Sequence, residues 1–107
     1  MTSVQSLKKH LSQHILVMDG AMGTAIQALD LNESDFRGDR FLDHSIDLKG
    51  NNELLTLTRP EIIEKIHLDY LIAGADIIET NTFTANIVSQ SDFGTEDLVY
   101  ELNYESV

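Results

Sequence analysis

The stretch that most constrains the fold is Ile15-Leu16-Val17-Met18-Asp19-Gly20-Ala21-Met22-Gly23-Thr24. Four apolar residues running into Asp-Gly suit a short parallel strand covered on both faces. Gly20 and Gly23 let the backbone turn sharply and leave its N–H groups open at the start of a following helix. Residues just past such a strand are where α/β proteins place their chemistry. An ordinary strand-to-helix turn, with Asp19 capping the helix, accounts for the same residues equally well.

A second stretch repeats the pattern. Thr58-Arg59-Pro60-Glu61 predicts a helix start, with Thr58 as N-cap, Pro60 in the first turn and Glu61 closing a capping box. Ile62, Ile63, Ile66, Tyr70 and Leu71 give that helix one apolar face, and Gly74 stops it. Then Ala75-Asp76-Ile77-Ile78-Glu79-Thr80-Asn81-Thr82-Phe83 runs as a short apolar strand into polar groups. A helix over Ala21–Leu29, with Met22, Ile26 and Leu29 on one face, follows the first strand. The order strand, helix, long loop, helix, strand points to a parallel βαβ arrangement.

In that arrangement Asp19 and Glu79 end neighbouring strands, and both carboxylates project from the carboxyl-end face. Such a pair serves general acid/base work, a divalent metal, or recognition of a substrate ammonium group. Taken singly, each is also explained by a helix cap or a surface ion pair. Thr80, Asn81 and Thr82 add hydrogen-bonding groups at the second strand end, which a solvated loop explains almost as well. Gly20-Ala21-Met22-Gly23 offers backbone N–H groups to a carboxylate or phosphate, although it matches neither the dinucleotide fingerprint nor the P-loop.

Elsewhere the pattern is local. Ser3 is expected to cap a short helix carrying Val4, Leu7 and Leu11 that covers one end of the core. Asp30 to Asn52 shows no sustained period, and Leu31, Phe36, Phe41, Ile46 and Leu48 read as anchors pinning an ordered excursion. Thr84 is expected to cap a helical turn over Ala85–Gln90, which Asp92–Gly94 breaks. Thr95 starts a last helix through Leu98, Val99 and Leu102 that reaches Val107 without a stop signal, so the chain reads as cut short. His10, His14, His44 and His67 lack metal-ligand spacing and read as surface residues. The scattered aromatics, Phe83, Tyr100 and Tyr104 among them, read as core or loop anchors.

The net charge of −11 argues against nucleic acid and anionic membranes as partners. No cysteine is present, which excludes disulfides, thiolate zinc sites and cysteine nucleophiles within these 107 residues. No apolar run approaches the roughly 20 residues that span a bilayer, and Met1 to His14 lacks a signal-peptide block. A cytoplasmic location is the expectation.

Four segments, Ile15–Thr24, Leu31–Phe41, Asp47–Leu55 and Gly74–Phe83, resemble the start of the cobalamin-dependent methionine synthases. The first and last resemble homocysteine methyltransferases generally. The loop with Asp35-Phe36-Arg37-Gly38 and Lys49-Gly50-Asn51-Asn52 narrows the resemblance to the cobalamin-dependent branch. The resemblance implies an α/β fold, a (β/α)8 barrel that binds homocysteine and zinc. In that family a zinc-activated thiolate takes its methyl group from methylcobalamin, which methyltetrahydrofolate recharges in another domain. Carried over residue by residue, Asp19 and Glu79 would lie around the amino-acid end of homocysteine, N–H groups near Gly20 and Ala21 would receive its carboxylate, and Thr80 and Asn81 would join them as substrate-binding residues.

The family's zinc ligands are three downstream cysteines that this chain lacks, and a barrel takes about 250 residues. Residues 1–107 are therefore expected to form the N-terminal portion of a homocysteine-binding domain. About two of eight strands and an N-terminal helix would be present, inactive without the remaining barrel and the cobalamin and folate domains. Two other readings stand beside this one: a non-catalytic acidic α/β module binding a small anion or a protein partner, and a barrel enzyme holding a divalent metal at Asp19 and Glu79.

Overall fold

The two expected strands meet at a single point. In the computed structural model, which describes residues 2–107, Met18 and Ile77 form one isolated parallel bridge, and no strand is present among the described residues. Met1, the first residue of the expected N-terminal segment, lies outside them. Asp76 and Ile77 donate to the Val17 carbonyl at 2.8 and 3.2 Å, and the Asp19 N–H donates to the Ile77 carbonyl at 2.9 Å. The direction and register are those of a parallel pair, but the pair is one step long. Its physical limit is the lack of neighbours: Ile15 is 93% exposed, and Val17 and Met18 are half exposed. Two parallel segments with both outer edges unpaired bury too little to extend the ladder.

The fold is otherwise helical. Seven helices are described: α1 (Ser3–Gln13), α2 (Met22–Gln27), α3 (Glu33–Arg37), α4 (Leu55–Thr58), α5 (Pro60–Ile72), α6 (Ile87–Ser91) and α7 (Val99–Ser106). Short 3-10 turns at Asn52–Leu54 and Glu96–Leu98 lead into α4 and α7. The core forms around α4, against which α3, α5 and α7 pack. Leu48, Leu54, Leu55 and Leu102 are fully buried there, beside Ile26, Phe36, Ile63, Ile66 and Ala85. Each fully buried leucine contributes about 1.5–3 kcal/mol relative to an exposed one.

Helix starts move by small steps from their expected places. Thr2, not Ser3, caps α1, in a reciprocal capping box with Gln5. Thr58 belongs to the end of α4 and turns its hydroxyl back to the Leu54 carbonyl, so Arg59 takes the N-cap of α5 and Pro60 its first turn. Asn86, not Thr84, caps α6. Thr95 precedes the 3-10 turn but points inward, its hydroxyl on the Gln90 side chain at 2.7 Å. Gly74, at φ +109°, ends α5 as expected.

Two expectations about packing are corrected. Helix α1 covers no core: none of its residues is buried, and Val4, Leu7 and Leu11 are exposed. Phe83, Tyr100 and Tyr104 are exposed as well. The molecule measures 51 × 26 × 19 Å with a radius of gyration of 15.9 Å, against about 13 Å for a compact domain of this length. Its accessible surface of 7214 Å² exceeds the roughly 6,000 Å² of a compact monomer of this mass. No described helix is long and apolar enough to cross a membrane.

The excursion from Asp30 to Asn52 is ordered, and polar groups do most of the pinning. Phe36 and Leu48 are buried, Leu31 and Phe41 partly so, while Ile46 stays exposed. Arg37 donates to the carbonyls of Phe41, Leu42, His44 and Ile46, and its Nε to Glu33 at 2.7 Å. Glu33 in turn accepts the N–H groups of Leu48 and Lys49, each at 2.8 Å. Burial raises the Glu33 pKa, but those two N–H groups and Arg37 outweigh it and hold the carboxyl below its ordinary value. Gly38, at φ +55°, passes so close to α4 that a Cβ would sit 3.1 Å from Thr58.

Candidate functional site

The site grows out of the single bridge. One residue past Met18, Asp19 turns its side chain along the line of the missing ladder, and its Oδ1 accepts the Glu79 N–H at 3.0 Å. A carboxylate thus stands where the next backbone carbonyl of a longer strand would be. The Asp19 side chain is 5% exposed. From the other side, Asp76 accepts the Val17 N–H at 2.9 Å, so side-chain carboxylates bracket the bridge at both ends.

The turn that follows differs from its expected form. The left-handed residue is Ala21, at φ +48° and ψ +34°, and neither Gly20 nor Gly23 has positive φ. Such a conformation costs an alanine about 1–2 kcal/mol. Asp19 makes no cap to α2, whose N-cap position has no side-chain bond; capping therefore does not explain this residue. The first intrahelical bond runs from the Ala25 N–H to the Ala21 carbonyl, so the N–H groups before it have no helical acceptor.

All six residues expected at the site, Asp19, Gly20, Ala21, Glu79, Thr80 and Asn81, line one cleft of about 380 Å³. The wall opposite is the end of the long excursion, Gly50, Asn52 and Glu53, together with Thr82, Phe83 and Thr84. Glu79 and Thr80 are exposed and free to meet a ligand. Thr80 shares a hydrogen bond with Thr82 at 2.8 Å. Asn81 is buried, and its Nδ2 donates to the Asn52 carbonyl at 2.9 Å. Its amide therefore ties the two walls together.

Glu53 is the residue that local pattern missed. It is 6% exposed, lines the cleft, and accepts the Thr84 N–H at 3.2 Å. The polar run Gly50-Asn51-Asn52-Glu53, set directly before Leu54-Leu55, was the available signal. Behind it Asn51, Gln90 and Thr95, all essentially buried, close a polar triangle: Asn51 and Gln90 exchange amide bonds at 3.0 and 3.1 Å, and Thr95 donates to Gln90. This network seats the wall on α6.

Three carboxylates, Asp19, Glu53 and Glu79, thus face one cleft with no lysine, arginine or histidine among its lining residues. That is a field suited to an ammonium group. The histidines are corrected in part: His10 and His14 are exposed, but His44 reaches the Phe93 carbonyl at 2.7 Å and the His67 side chain is 15% exposed behind Asp19. No group of three or more His, Cys, Asp or Glu side chains fit to hold a metal occurs among the described residues.

The model of the homocysteine S-methyltransferase family, a TIM-barrel family, matches residues 16–107, and the chain belongs to that family.

Proposed function

We propose that this chain builds the amino-acid end of a homocysteine pocket and serves methyl transfer to homocysteine, forming methionine, in the manner of the cobalamin-dependent methionine synthases. The observation that carries the reading is the convergence of Asp19, Glu79 and the Gly20–Ala21 backbone on one acidic cleft. Homocysteine presents an ammonium, a carboxylate and a thiol. The carboxylates of Asp19 and Glu79, with Glu53 on the opposite wall, receive the ammonium group. The N–H groups of Gly20 and Ala21 receive the carboxylate.

The cobalamin-dependent branch is supported by the loop Asp35–Gly38 and Lys49–Asn52, whose last residues reach the cleft. Methylcobalamin as donor and methyltetrahydrofolate as its source belong to that reading. The donor set here does not fit the implied zinc: no cysteine is present and no three metal-binding side chains cluster among the described residues. Within this reading, thiol activation falls to chain outside these residues. The surface supports such a continuation, being about a fifth larger than that of a compact domain of this mass, with Ile15, Val17, Met18 and Ile78 uncovered at the bridge.

The test is a titration of the 15N-labelled chain with L-homocysteine and with 4-sulfanylbutanoate, which lacks only the ammonium group. Homocysteine should shift the Gly20, Ala21 and Glu79 amide signals saturably, and Asp19→Asn should weaken binding about tenfold or more, as for the loss of a charge-assisted bond. Equal shifts with the analogue would refute ammonium recognition.

A further inference from the structure

One buried polar group near the cleft has no task in the reading above. His67 sits on α5 one turn after Ile63, with its ring 15% exposed. Its Nδ1 is buried and has no hydrogen-bond partner. The polar atom facing it is Oδ2 of Asp19, 3.8 Å away, and the Asp19 side chain is itself 5% exposed. The ring also lines a second cleft, where Glu64 of α5 and Glu105 of α7 carry the other ionisable side chains and Val107 brings its terminal carboxylate. A buried nitrogen without a partner is costly, and such groups call for an explanation in the chemistry of the site.

We propose that His67 is a positioning residue for Asp19. The imidazole carries a proton on Nδ1 and directs it to Oδ2, while Oδ1 remains on the Glu79 N–H at 3.0 Å. The present separation exceeds a hydrogen bond by less than 1 Å, a gap that a small rotation of either side chain closes. Held at both oxygens, the carboxylate keeps one plane, and its remaining lone pairs are directed to the cleft. A histidine on a covering helix thereby orients the acid that meets the substrate, as outer partners orient ligating groups elsewhere. No bond is made or broken in this role.

That Asp19 meets an ammonium rests on the proposed function; that His67 orients Asp19 does not. The first experiment is a long-range 1H–15N spectrum of the histidine-labelled 107-residue chain. The Nδ1-protonated tautomer is expected at His67, and an Nε2-protonated tautomer overturns the proposal. The second compares His67→Phe, which keeps a ring and loses the donor, with His67→Asn, which keeps a donor near the Nδ1 position. His67→Phe should move the Asp19 13Cγ and Glu79 amide signals and weaken homocysteine binding about tenfold, and His67→Asn should restore both. Equal displacement by the two variants, with the remaining backbone spectrum unchanged, overturns it. If His67→Phe does not fold, the tautomer of the unsubstituted chain decides alone. Absence of homocysteine binding by the unsubstituted chain refutes the pocket and leaves the tautomer result standing.

Discussion

Removing the Glu33 carboxylate should unfasten the excursion that forms the far wall of the cleft. Glu33 accepts two backbone N–H groups, from Leu48 and Lys49, and the Arg37 Nε. Hydrogen bonds to a charged group contribute about 1.5–3 kcal/mol each when well buried. Glu33 is about one-third exposed, so water replaces part of what is lost, and the three bonds together are worth about 2–3 kcal/mol. The Glu33→Ala variant also leaves Arg37, 16% exposed, without its closest carboxylate; Asp47 stands farther away at 3.6 Å. The assay is amide hydrogen exchange, because Leu48 and Lys49 report the bonds directly. At 2 kcal/mol their protection should fall about 30-fold, from 1.4 kcal/mol per tenfold. The amides of Ile63 and Ile66 in α5 should change only with global stability. Unchanged exchange at Leu48 and Lys49 would refute the role assigned to Glu33.

The remaining predictions concern pH, the buried network and the left-handed turn. Glu33, Glu61 and Glu101 all have folded-state pKa values below their ordinary one: Glu33 through the Leu48 and Lys49 N–H groups and Arg37, against the opposing effect of burial, Glu61 through Arg59, and Glu101 through Arg40. The unfolded chain therefore binds more protons, and stability present above about pH 4.5 should fall as pH drops through the lowered values; urea melts across that range check the slope, and rising stability would refute it. Gln90→Leu removes both amide bonds to Asn51 and leaves the Thr84 carbonyl without its donor, while Thr95 keeps the Gln90 backbone carbonyl, and should cost about 2–4 kcal/mol in a urea melt. Ala21→Gly relieves the positive φ and should raise stability by about 0.5–1 kcal/mol, after glycine's entropy cost is subtracted.

Much of the cleft's lining was legible because its signals are local. The two apolar segments, their terminal acids and the glycine stop of α5 are short-range chemistry, and they brought Asp19, Gly20, Ala21, Glu79, Thr80 and Asn81 to one cleft. Cap assignments failed by one or two residues for a related reason. Thr58 and Thr84 are good caps in isolation, but α4 claims the first, and Asn86 supplants the second with its side chain on the Ser89 N–H.

The sequence by itself determined the core positions Ile63 and Ile66 of α5, the acidic residues of the candidate site and the family, because periodicity, turn residues and motif spacing need no distant partner. Only the tertiary structure decided that the apolar segments pair at one bridge, since a parallel ladder is stabilised by neighbours on both sides, which are lacking at Ile15–Met18 and Ile77–Ile78. It alone brought Glu53 to the cleft and set His67 behind Asp19. Those placements depend on contacts between residues far apart in the chain, as in the bond from Glu79 to Asp19 across sixty residues. Local pattern carries no information about which distant group answers a buried charge.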